Sequence, residues 1–133
     1  MSVAVTPFLR NALYVDALAT GATGLLAIVG APLLASLLDL PETLLLWAGL
    51  ALVPFVAMLV VVARRAAVSK QVLSCIVVLN ALWVIGSFAL LVSGAVSPNA
   101  LGIAFVAGQA LVVAVFTGLQ FSGIRRAGAA AVA

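Results

Sequence analysis

Four long apolar stretches alternate with short polar breaks along the chain. They predict helices over about 9–38, 42–63, 70–94 and 100–124. Each stretch supplies the roughly 20 apolar residues that a helix needs to cross a hydrocarbon core of about 30 Å. In the first stretch Asp16 interrupts the start, and an uncharged run from Ala17 to Leu38 follows. Pro32 gives this helix a second possible ending, because its ring and missing N–H disrupt a continuing helix. In that variant the span stops at Gly30, and residues 32–38 lie at the membrane surface.

The breaks have turn chemistry. Asp39-Leu40-Pro41-Glu42-Thr43 is acidic and helix-breaking, and Glu42 falls where the dipole of the next helix favours an anion. Residues 64–71 form a short basic connection, in which Ser69 is placed to cap the third helix. Residues 93–99 make the third turn. The small, apolar tail 127–133 is expected to be flexible.

Composition agrees with the pattern. The chain has 133 residues, 67% of them hydrophobic and only 7% charged, with a mean hydropathy of +1.43. A soluble domain of this size has too small an interior to hide so much apolar side chain. The sequence therefore predicts an all-α polytopic membrane protein. Its four transmembrane helices form a bundle of two antiparallel hairpins within one integral membrane domain, 1–133.

Charge sets the expected orientation. Arg10 precedes the first span; Arg64, Arg65 and Lys70 lie between the second and third; Arg125 and Arg126 follow the fourth. The other two connections carry no Lys or Arg. Lys and Arg in short loops stay on the cytoplasmic side. Both termini are thus expected inside, in a bacterial inner membrane. The net charge of +3 reads as a topology signal that also suits anionic headgroups, and no nucleic-acid partner is expected.

Polar residues inside the spans are the most informative positions, because hydrocarbon makes them costly. Asp16, Thr20 and Thr23 share one helix face at i, i+4 and i+7. Asn80 and Ser87 are seven apart. Gln109, Phe116 and Gln120 form another stripe. Counted from the nearest basic residue, Asp16 and Gln120 share the innermost level, Asn80 and Thr117 the next, and Ser87 and Gln109 the third. Hydrogen bonding between helices accounts for such residues, and a polar path for a solute is the alternative. Asp16 is expected at the inner interface, partly hydrated, with Arg10 or Arg126 as its partner.

Small residues add a packing signal. Ala100, Ala104 and Gly108 lie on one face of the fourth span, and Ala110, Ala114, Gly118 and Ser122 on nearly the opposite one. Such stripes let backbones approach closely, with Gly108, Ala114 and Gly118 as candidate packing positions. The fourth span is accordingly expected to be the most buried, and the second the most lipid-exposed.

Catalytic chemistry is not visible. The chain has one cysteine, Cys75, and no histidine. No internal disulfide, no usual His/Cys metal site and no catalytic triad fits this set, so neither enzyme activity nor a cofactor is expected. The sequence points first to a structural or accessory membrane subunit, packing with copies of itself or with a larger complex. The alternative is a small-solute or ion transporter or channel using Asp16, Asn80 and Gln109.

Overall fold

A computed structural model describes the backbone of residues 1–132 and the side chains of residues 1–128. Helix α1, Pro7–Val29, starts where Thr6 Oγ1 accepts a hydrogen bond from the Leu9 amide at 3.2 Å. Pro7 sits in its first turn, where a missing N–H costs nothing. A second, short helix α2, Ala31–Leu38, follows after Gly30. The expected first span of 9–38 is thus divided. Pro32 cannot donate to the preceding turn, and the chain restarts as α2. Asp39 ends α2 in the left-handed region, with φ 57°.

Helix α3, Glu42–Ala63, carries Glu42 in its first turn and Pro54 in its interior. Helix α4, Lys70–Ser93, is capped by Ser69, whose hydroxyl accepts from the Val72 amide at 3.3 Å. Gly94 follows it at φ 79°. Helix α5, Ala100–Val132, begins beside Asn99, whose side-chain oxygen accepts from the Gly102 amide at 2.8 Å. Asn99 also donates through Nδ2 to the Leu37 carbonyl at 2.8 Å, which ties α2 to the start of α5. Among the described residues, four helices (α1, α3, α4 and α5) are long and apolar enough to cross a membrane.

Two features depart from the expected all-α bundle with a flexible tail. Strand β1, Ser2–Ala4, pairs antiparallel with β2, Ala67–Ser69, in the register Ser2 to Ser69, Val3 to Val68 and Ala4 to Ala67. The pairing satisfies backbone groups in a connection too short to fold on itself. The expected tail continues α5 to Val132, since its alanines are strong helix formers. Ala133 lies outside the described residues.

Helix α1 packs chiefly on α3, and α4 on α5, while α1 and α5 join the two pairs. Helices α3 and α4 have no extensive contact with each other and meet chiefly through the core at the strand end. One core, with Val3, Leu9, Leu13, Leu59, Leu73 and Ile76, sits beside the strands. The other, with Leu38, Leu40, Leu45 and Val106, sits beside α2. The basic residues gather at the strand end. Arg10 donates to the carbonyls of Ala63 at 2.8 Å and Arg65 at 3.1 Å. Arg126 lies over the Phe8 ring, 4.6 Å from its centroid.

The order of enclosure differs from the expected one. The first span is the most enclosed, with 39% of its apolar stretch buried, and the third the least, with 11%. The second and fourth are equal at 28%. Close backbone approach explains the position of α3. A Cβ on Gly49 would lie 2.9 Å from the Gly24 carbonyl oxygen, so this pair of glycines brings α1 and α3 together. No other part of the described protomer lies within 4 Å of a Cβ built on Gly108 or Gly118, and Ala114 is exposed. The close contacts of α5 are made by Gly102, against the Leu38 carbonyl, and Gly123, against Phe8 and Leu9.

Candidate functional site: a buried carboxylate behind a cleft

Asp16 lies on the face of α1 that meets α5 and α4, and it is wholly buried. Its Oδ1 accepts from Thr20 Oγ1 at 2.7 Å, one turn further along the helix. Its Oδ2 accepts from Gln120 Nε2 at 2.6 Å and from Asn80 Nδ2 at 2.9 Å. Asn80 Nδ2 also donates to Gln120 Oε1 at 3.0 Å. In each of the Asp16 contacts the neighbouring side chain is the donor and a carboxylate oxygen the acceptor. The result is a closed ring of Asp16, Asn80 and Gln120 that joins three spans.

This arrangement overturns the expected hydrated anchor. All hydrogen-bond partners of Asp16 are neutral side chains. Arg10 turns instead to backbone carbonyls at the ends of α3 and the following loop, and Arg126 to Phe8. Hydrogen bonds from neutral donors stand where the ion pair was expected.

A second polar group lies further along α4 and α5. Trp83 Nε1 donates to Gln109 Oε1 at 2.8 Å. Gln109 Nε2 donates to Ser87 Oγ at 3.0 Å and to the Val106 carbonyl at 2.9 Å. The Ser87 hydroxyl donates to the Trp83 carbonyl at 2.7 Å. Thr117 joins neither group: its hydroxyl donates to the Val113 carbonyl of its own helix at 2.8 Å. Of the seven residues singled out by sequence, four form the Asp16 cluster and two the Gln109 group. Trp83 was missed, although it lies on the same face as Asn80 and Ser87, at i, i+3 and i+7.

Between the two groups lies a cavity of about 520 Å³, within the range of small-molecule sites. Thr20 and Asn80 line it and separate it from Asp16. Trp83 and Gln109 line it from α4 and α5, and Pro54 and Phe55 from α3. A second cavity of about 370 Å³ continues from it, sharing Thr23, Leu52, Trp83 and Gln109. Together they fill the gap between α3 and α4, so the cleft is bounded at its sides by helices that pack mainly on other neighbours, α3 on α1 and α4 on α5.

Among the described residues no group of three or more His, Cys, Asp or Glu side chains is placed to hold a metal ion. Cys75 is exposed on α4, away from the cleft lining. No known protein family, no curated protein and no solved structure matches the chain.

Proposed function

We propose that this chain is a non-enzymatic integral membrane protein that takes up a small, largely apolar molecule from the bilayer between α3 and α4. In this reading both termini lie on the cytoplasmic side of a bacterial inner membrane, with the basic end inward. The observation that carries it is the cleft. A 520 Å³ space with aromatic walls and a polar floor lies between two spans that each pack mainly on another helix. A purely structural bundle gains dispersion energy by closing such a gap. The reading accordingly favours the solute-handling alternative over a structural or accessory subunit.

The experiment uses Trp83 as its reporter. Trp47, the other tryptophan, is exposed and is replaced by Phe. The protein is placed in phosphatidylcholine nanodiscs and titrated with 1-bromodecane, whose heavy atom quenches indole fluorescence. Occupation of the cleft gives a saturable component of quenching. Gly108→Leu, which projects a side chain into open space at the cleft wall, removes that component. Quenching that rises without saturation in the unblocked protein would overturn the reading.

A further inference from the structure

Each polar side chain lining the two cavities has already committed its protons. Thr20 gives its hydroxyl proton to Asp16 Oδ1. Thr23 gives its own to the Ala19 carbonyl at 2.9 Å. Trp83 gives its indole N–H to Gln109, and Gln109 gives its two amide protons to Ser87 and Val106. Ser87 donates to the Trp83 carbonyl. Asn80 uses both protons of Nδ2, on Asp16 and on Gln120.

What remains is a set of acceptors. Asn80 Oδ1 accepts no hydrogen bond among the described residues. No fully sealed side-chain nitrogen or oxygen is left without a partner, so this oxygen is not sealed. Asn80 is only 3% exposed, and it lines the cavity. Its Oδ1 is therefore an acceptor without a partner on a buried side chain that lines the cleft. The hydroxyls of Thr20, Thr23 and Ser87 and the Oε1 of Gln109 retain lone pairs as well. Pro54, at the opposite wall, has no N–H to offer.

From this we infer that the cleft selects a ligand whose polar head is a hydrogen-bond donor, a primary ammonium on an apolar chain above all, and discriminates against heads that only accept. The inference rests on the proposed uptake of apolar molecules and names their class. A donor head meets Asn80 Oδ1 and the threonine lone pairs. A ketone or ester head meets the same oxygens with no proton between them, and both sides then lose their solvation without return. The amine is preferred over other donors for two reasons. The Asp16 carboxylate lies directly behind Asn80 and Thr20. Trp83, Phe55 and Phe116 also line the cavity, and aromatic rings attract a cation.

The test compares two probes in the Trp47→Phe protein, in zwitterionic phosphatidylcholine nanodiscs. Decylamine and 2-undecanone compete against the saturable quenching by 1-bromodecane, each at a known mole fraction in the bilayer. The expected result is displacement by decylamine at a mole fraction at least about tenfold lower than by 2-undecanone, the size of one good charge-assisted hydrogen bond. Equal potency, or a more potent ketone, would overturn the inference and leave the uptake reading intact. Absence of saturable quenching would sink the uptake reading itself, and this inference with it. Asp16→Asn supplies an independent arm: without the carboxylate, the preference for decylamine should fall by at least about threefold. An unchanged preference in a variant that still binds 1-bromodecane would remove Asp16 from the explanation.

Discussion

Gln120 Nε2 lies 2.6 Å from Asp16 Oδ2 although 104 residues separate the two in sequence. This one contact joins the first span to the last at the level where Asn80 enters from the third. The buried carboxylate thus organises the bundle, and substitutions there should follow hydrogen-bond capacity and not charge alone.

Asp16→Asn is expected to fold. Its amide oxygen can keep accepting from Gln120 and Asn80, while its NH₂ faces Thr20, whose hydroxyl can reverse and accept. Asp16→Leu leaves the donors of Asn80 and Gln120 buried without a partner. The loss should exceed that of the Asn variant by about 2 kcal/mol, since each unmade buried bond costs about 1–3 kcal/mol. Thermal unfolding in one detergent, followed by helical circular dichroism, measures the difference. Equal stability of the two variants would contradict the hydrogen-bond account.

The glycines should divide by location. Gly49→Ala places a Cβ 2.8 Å from Ile28 Cγ1 and 2.9 Å from the Gly24 carbonyl oxygen, so it should destabilise by about 1–3 kcal/mol. Gly118→Ala meets nothing within 4 Å and should be neutral or slightly stabilising, by up to about 1 kcal/mol, through helix propensity. The same unfolding assay separates them. A costly Gly118→Ala would mean that something outside the protomer packs on that face.

Arg10 holds the loop between α3 and α4 through the carbonyls of Ala63 and Arg65. Arg10→Met should release that loop and speed tryptic cleavage after Arg64 or Arg65 by about three- to tenfold, the effect of roughly 1 kcal/mol of local stability. Cleavage at the original rate would show that the β1–β2 pairing alone secures the loop.

The proposed orientation rests on the basic residues. Reporter fusions within Asp39–Thr43 and after the last helix should give signals from opposite sides of the membrane. Signals from the same side would refute the assignment of the basic end to the cytoplasm.

The spans were legible because lipid imposes a long, uninterrupted apolar pattern, and the shared level of Asp16 and Gln120 emerged from counting along it. The level of Asn80 did not, because depth was counted from basic residues. Arg10 lies inside α1, whereas Lys70 is the first residue of α4. Counted from helix starts, Asp16 is nine residues in (16 − 7) and Asn80 ten (80 − 70), which puts them side by side. Thr117 was misplaced because a hydroxyl can bond its own helix, an option that residue type does not reveal. The β1–β2 pairing left no trace because three residues are too few for an alternating pattern. The cleft was invisible for another reason: it is made by sparse contact between two spans of nearly the same hydropathy, 2.6 and 2.5.

That sparse contact also concerns the lipid. Beyond the shared core, the Arg10 contacts and the paired strands at its heel, little in the described residues holds α3 directly to α4. Each helix is anchored to a different neighbour, α3 to α1 and α4 to α5. The width of the gap is then a joint property of the protein and the acyl chains pressing against it. A thicker, more ordered bilayer squeezes the two pairs together, and a looser one lets them part. On the proposed uptake, occupancy of the cleft responds to lateral pressure as well as to chemistry.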